Sequence, residues 1–302
     1  MRRTIGILAL WLAVGGQAHA FNLGALLQSM SNRSGANATA QGGSAQPPSY
    51  AGAALQFVSA LVHNAQGVPL KQEDAIGRQI AGNLLGAAPL VPDPRLQRYV
   101  NLVGRWVAAQ SPRPGLHWRF GVIDSNDINA FSAPGGYVFI TKGLYRLLDN
   151  ESELAGVLGH EIGHVVKKHE LHLIEQQKMV AAVGEAAQVR AQGQTLAHQV
   201  TQNLIGSGAQ IMGHRLDKDD EYEADRIGVV LAARAGYDPY GLPAVLQKLE
   251  AVGRTNPSAV ALLFYTHPRP ENRLAHLAAA MGDHFDSDVP WTTPRRFYRL
   301  KP

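Results

Sequence analysis

The chain of 302 residues contains no cysteine. That excludes disulfides, thiolate metal sites, a cysteine nucleophile and a lipid anchor on an N-terminal cysteine. Charge is also sparse: only 17% of residues are Asp, Glu, Lys or Arg, and the formal net charge is +4. No stripe of Lys and Arg interleaved with aromatics runs through the body, so nucleic acid is excluded as an expected partner. After the first twenty residues no stretch offers 18 uninterrupted apolar residues, so no later segment is expected to span a bilayer. Aromatics make up 7%, whereas Ala and Gly are abundant, which points to closely packed helices.

Arg2 and Arg3 precede an apolar run from Ile5 to Val14, and Ala18-His19-Ala20 fits a small-x-small cleavage pattern. Residues 1–20 therefore read as a signal peptide, with Phe21 as the first mature residue. A short membrane anchor is the rival reading. Export by this route places the chain in a bacterial periplasm, soluble after cleavage. Residues 21–70 read as a flexible N-terminal segment and linker, because the stretch 31–50 is rich in Ser, Gly, Ala, Asn and Gln and ends in Pro47-Pro48. A short helix falls at 51–65. Residues 285–302 form a basic tail carrying Arg295, Arg296, Arg299 and Lys301. It reads as a solvated end, with peripheral contact to a membrane surface as the alternative.

The body between, residues 71–284, mixes helical and extended patterns. Ile76, Ile80 and Leu84 mark a helix starting near Asp74. Pro92 and Pro94 end it, and Asp93 can cap a second helix through Leu96, Val100, Val103 and Val107. Leu116 to Val122 alternates as a strand does, and Tyr137 to Thr141 is strongly strand-forming. Pro134-Gly135-Gly136 beside that strand suggests the edge of a sheet. A short helix follows from Lys142 to Leu148. Asn150, with Glu153 three residues on, opens the next helix in a capping-box pattern. An exposed helical hairpin is expected over 171–213. Asp219 or Asp220 is expected to cap a helix ending near Gly236, followed by helical stretches from Asp238, over 259–264 and over 271–281.

The helix after Asn150 carries His160-Glu161-Ile162-Gly163-His164. At about 100° per residue the two imidazoles lie about 40° apart, one turn from each other, and reach one ion. Glu161 sits beside the pair, placed to hold a water near a metal rather than to ligate it. Gly156 and Gly163 share the histidine face. Glycine costs about 1 kcal/mol in a helix interior, so two on one face imply close approach of another element. The third ligand must come from elsewhere, and Asp219 to Gly228 supplies candidates. Glu221, Ala224, Asp225 and Gly228 share a face whose small residues allow that approach. Glu221 is then a ligand, and Asp225 accepts a hydrogen bond from a ligand imidazole. Glu223, on the opposite face, is the alternative ligand. His169 and His172 lie far round from His160 and read as surface residues.

Together these segments resemble the zinc metallopeptidases of the HtpX and CAAX-prenyl-endopeptidase family, in its exported soluble branch. The likeness rests on His160-Glu161-x-x-His164, on Glu221-Tyr222-Glu223-Ala224-Asp225-Arg226, on "NAFSAPGGYVFIT" and on "THPRPENR". It implies an α+β, mostly helical fold: a zincin-like metalloprotease domain with a small edge-exposed β-sheet and a metal-binding helix pair. It implies one Zn2+ held by His160, His164 and Glu221, with Glu161 as general base. His267, in the His-Pro motif, is implied to approach the zinc as a gate or a fourth ligand, and Arg273 to contact substrate or the site. A peptide lying along the strand at Gly136, Tyr137 and Val138 would be read by its main chain, which suits unfolded or misfolded envelope proteins. Tyr137 or Arg273 would then assist the oxyanion. The rival function is a zinc-dependent holdase with little proteolysis.

Overall fold

A computed structural model describes residues 68–176, 216–285 and 297–300. The leader, nearly all of the linker and its short helix, and the hairpin expected at 171–213 beyond residue 176 lie outside the described residues. No helix among the described residues is long and apolar enough to cross a membrane.

The architecture is α+β and mostly helical. Helix α1 (Leu70–Ala87) lays Ile80 and Ala81 into a small apolar cluster. Helix α2 (Pro94–Ala108) begins as expected. The Asp93 carboxylate accepts from the N–H groups of Arg95 and Leu96 at 2.9 and 3.1 Å, and Pro94 takes the position that needs no donor. Leu96, Val100, Val103 and Val107 form its buried stripe.

Three short strands follow: β1 (Arg119–Ile123), β2 (Ala130–Ala133) and β3 (Tyr137–Thr141). Their order is β1-β3-β2, with β1 parallel and β2 antiparallel to β3. The strand at Tyr137 to Thr141 is therefore central, which corrects the edge reading. Pro134-Gly135-Gly136 is the hairpin turn between β2 and β3. Gly135 and Gly136 adopt φ of 80° and 95°, a region that favours glycine. All five residues of β3 are buried. Such an unalternated run marks a strand covered on both faces. Among the described residues the outer side of β2 has no strand paired to it.

Helix α3 (Lys142–Leu147) is capped by the Thr141 hydroxyl, and leads to α4 (Glu151–Lys167). At the start of α4 the Asn150 side chain accepts from the Glu153 N–H at 2.9 Å, and Glu153 in turn accepts from the Asp149 N–H at 2.8 Å. Every residue from Ser152 to Val165 is buried, so α4 is the central rod of the domain. Lys168 ends it with φ 61°, and residues 169–176 are again helical. Helix α5 (Lys218–Arg234) is capped by Asp217, not by Asp219 or Asp220, which occupy its first turn. Helix α6 (Gly241–Thr255), a 3-10 turn (Pro257–Val260), α7 (Ala261–Thr266) and α8 (Pro270–Met281) complete the fold. Leu154, Leu158 and Ile162 of α4 meet Val100 and Val107 of α2, Val138 and Ile140 of β3, and Leu246 of α6 in one core.

Residues 297–300 are docked rather than solvated. Phe297 stacks on Tyr145 with centroids 5.2 Å apart, and the Tyr298 hydroxyl donates to Asp93 at 2.7 Å. Arg299 donates to the carbonyls of Leu148 and Asp149 at 3.1 and 2.7 Å, just past α3, where carbonyls lack helical partners. That engages one charge expected for a membrane surface. Arg295, Arg296 and Lys301 lie outside the described residues.

Candidate metal centre

The centre is built on the seam between α4 and α5. A Cβ on Gly228 would lie 2.7 Å from the His160 backbone nitrogen, and one on Gly159 would lie 2.8 Å from the Gly228 carbonyl oxygen. The expected glycine faces act as anticipated: Gly163 meets Ala224, and Gly156 meets Leu242 at the start of α6. Two helix backbones this close bring side chains on facing turns into one pocket.

His160, His164, Glu221 and His267 converge there, each offering a ligand atom within 4.8 Å of the others. His160 Nε2 and His164 Nε2 are 3.0 Å apart, and each lies 3.6 Å from a Glu221 oxygen. His267 Nε2 is 3.7 Å from Glu221 Oε1. All four side chains are buried. Behind His160, Asp225 Oδ1 lies 2.9 Å from Nδ1. Arg273 grips that carboxylate with two nitrogens, at 2.9 and 2.6 Å. Burial pushes the Asp225 carboxyl up, but Arg273 and His160 outweigh it and hold it well below the carboxylate range.

Glu161 faces a cleft lined by Ala130, Phe131, Ser132, His164, Glu170, Thr266 and His267. Burial drives its carboxyl up to about 8, with Ser132 and Arg273 pulling the other way. Glu170 is raised to about 7, again by burial against Ser132, whose hydroxyl donates to Glu170 at 2.6 Å.

A model of peptidase family M48 matches residues 94–281, more than half of the chain. The chain belongs to peptidase family M48. It is 35% identical over 210 residues to the beta-barrel assembly-enhancing protease of Escherichia coli (strain K12), covering 68% of this chain and 42% of that protein. The Yersinia pestis protein of the same name is 34% identical over 212 residues, covering 68% and 43%. The mitochondrial metalloendopeptidase OMA1 of Arabidopsis thaliana is 32% identical over 175 residues, covering 57% and 33%. The chain thus spans less than half the length of these relatives.

M48 membership implies a metal ion, and the donor set fits one. Both Glu221 oxygens are buried and accept no hydrogen bond, a costly arrangement unless a cation stands between them and the imidazoles. Burial lowers the pKa of His160, His164 and His267, which keeps the imidazoles neutral with lone pairs free. Burial also raises Glu221 well above its ordinary value, outweighing the pull of Arg273 3.8 Å away, as expected of a carboxylate whose buried oxygens lack hydrogen bonds. Separations of 3.0 to 3.7 Å agree with the roughly 3.4 Å between donors of a tetrahedral site with bonds near 2.1 Å.

The remaining expectations for this M48 domain divide. Asp225 and His267 stand where expected. Glu223 does not join the centre: it faces Lys167 at 2.8 Å and His169 at 3.2 Å. The substrate residues expected on β3 are corrected. Val138 is fully buried in the core and Gly136 is in the turn, where a Cβ would meet Trp118. The Tyr137 hydroxyl donates to Asp74, with Arg119 over its ring, so it is turned away from the cleft. Arg273 lies behind His160, bound to Asp225, with Nη1 3.8 Å from Glu221. His169 is corrected too. It is buried at 3% exposure, because the left-handed Lys168 breaks the helical phase and turns it back over His164. Ser132 and Glu170 were not singled out from the sequence, and no spacing pattern marks either.

Proposed function

We propose that the chain is a zinc-dependent endopeptidase acting on extended or misfolded proteins of the cell envelope, in a quality-control role. The observation that carries this reading is Glu161, a cleft-facing carboxyl one residue from a ligand histidine, beside an unsatisfied buried carboxylate and three imidazoles. When bound, zinc supplies Lewis acidity toward water and a peptide carbonyl. Glu161 accepts the proton of the attacking water and returns it to the leaving amide nitrogen. The same carboxyl serves both transfers. Expected stoichiometry is one zinc per chain, held by His160, His164 and Glu221.

Substrate is placed along β2. The Thr141 N–H donates to the Asn129 carbonyl, so the ladder alternation turns the main-chain groups of Ala130 and Ser132 outward, away from β3; the Asn129 side chain takes the Ala130 N–H, and the Ser132 N–H and the two carbonyls remain for a partner strand. An extended peptide pairs with that edge through main-chain bonds and is selected by accessibility rather than by sequence. The name of the Escherichia coli relative supports envelope clients, and the leader-like first twenty residues support a periplasmic location. Glu161→Gln tests the reading. Casein cleavage should fall by about 10²–10⁴-fold with zinc retained. Cleavage at the normal rate would sink it.

A holdase with little proteolysis is the second reading. It is favoured by His267, which completes four donors and leaves no open position. His267→Ala tests that fourth position: faster cleavage marks His267 as a gate on an endopeptidase, whereas loss of zinc and fold marks a structural ligand.

A further inference from the structure

The two ligand imidazoles are held from behind by different groups. His160 has the Asp225 carboxylate, itself clamped by Arg273. His164 has another imidazole: its Nδ1 lies 2.9 Å from His169 Nδ1, and the two rings meet edge to face with centroids 5.1 Å apart. On its far side His169 Nε2 lies 3.2 Å from Glu223 and 3.4 Å from Asp220. Glu223 and Asp220 are each about one-third exposed, at 34% and 37%, and Glu223 is also paired with Lys167.

Proton counting fixes the direction of this chain. Only one proton fits between two Nδ1 atoms at 2.9 Å. His164 presents Nε2 to His160 and Glu221, so as a ligand it keeps a lone pair there and its single proton on Nδ1. It must then donate to His169 Nδ1. His169, with its lone pair used inward, carries its own proton on Nε2 and donates it to Glu223 or Asp220. Each member thereby determines the tautomer of the next, from the rim inward. The left-handed residue Lys168 makes this possible, since an unbroken helix would carry His169 round to the far side.

We propose that His169 is a positioning residue of the metal centre: it accepts the His164 Nδ1 proton and relays its orientation from Glu223 and Asp220, fixing His164 as an Nε2 ligand. This rests on the proposal that His164 binds zinc. It gives the burial of His169 and the outward pointing of Glu223 one shared cause.

The test uses an isosteric pair of variants. Asn at position 169 can place a carbonyl oxygen near the present Nδ1, whereas Leu has the same size and no acceptor. Zinc affinity is measured by chelator competition on the full chain, with the visible spectrum of the cobalt-substituted protein as a second readout. His169→Leu should weaken zinc binding by about 10–100-fold and shift the cobalt bands, and His169→Asn should recover most of both. Equal affinities for Leu and Asn would overturn the proposal while the metal reading stands. Failure of the unaltered chain to bind zinc would overturn both. Independently of any variant, imidazole nitrogen NMR of the zinc-loaded protein should find His164 protonated at Nδ1 and His169 at Nε2. A proton on His169 Nδ1 would refute the relay.

Discussion

The α4–α5 seam and the cleft wall of β2 and residues 169–176 meet at Glu161, yet they are built in opposite ways. On the seam, backbone meets backbone at Gly159 and Gly228, and the ligands around it are buried. On the wall, Phe131, Ser132 and Glu170 are half-buried, and the sheet edge beside them has main-chain groups turned outward. The seam gathers the four candidate ligand side chains so that their donor atoms lie within 4.8 Å of one another. The wall leaves room for a chain that arrives from solution. Changes on the seam should therefore cost the fold and the metal together, and changes on the wall should cost only substrate handling.

The largest expected effect is at Gly228. Gly228→Leu puts a side chain into the His160 backbone, which cannot yield, so little folded protein should be recovered. Recovery of a variant with normal melting temperature would break the contrast. Next comes the support behind His160. Asp225→Ala takes from Arg273, 4% exposed, the carboxylate it grips with two nitrogens and leaves it Glu221 at 3.8 Å, and should cost about 3 kcal/mol in chemical denaturation. Loss of less than about 1 kcal/mol would show that the pair is not essential to the seam.

Wall substitutions should act differently. Ser132→Pro removes an outward N–H without touching the pairing to β3, as proline does on sheet edges. Compared with Ser132→Ala, which also lacks the hydroxyl, it should raise KM for an extended peptide by about fivefold, the worth of one hydrogen bond, with melting temperature unchanged. An equal KM for both would move the peptide off β2. The smallest effect is at Glu170. Its folded carboxyl is raised from 4.5 to about 7, so between those values the folded state holds a proton that the unfolded chain has released. Stability from this group is present below about pH 4.5 and falls as pH rises toward 7. Glu170→Gln should flatten that part of the stability profile of the metal-free protein. An unchanged slope would show that Glu170 titrates normally.

The seam was also the more legible of the two regions. Ligand spacing and the glycine face both follow from one local period of about 3.6 residues, which α4 keeps from Glu151 to Lys167. The same holds for Glu221 and Asp225 on α5. Legibility ended where that period did. His169 lies one residue past a left-handed lysine, which no glycine announced, and extrapolating the helix sent it to the surface. The wall depends on strand order, a non-local property. The β3 run of Tyr137 to Thr141 and its glycine turn fit a central strand as well as an edge, and only pairing with both β1 and β2 decides. Arg273 was correctly linked to the site, but its role turns on Asp225, forty-eight residues away in the chain.

The most direct measurement is the zinc content and affinity of the purified chain beside Glu221→Gln, a change that keeps the shape and removes the charge. Expected is one zinc per chain for the unaltered protein and loss of most of it from the variant, with the melting temperature of the metal-free forms alike or slightly raised by the neutral side chain. Zinc held equally tightly by both would mean that α5 supplies no ligand and that the two helices do not close on a shared ion.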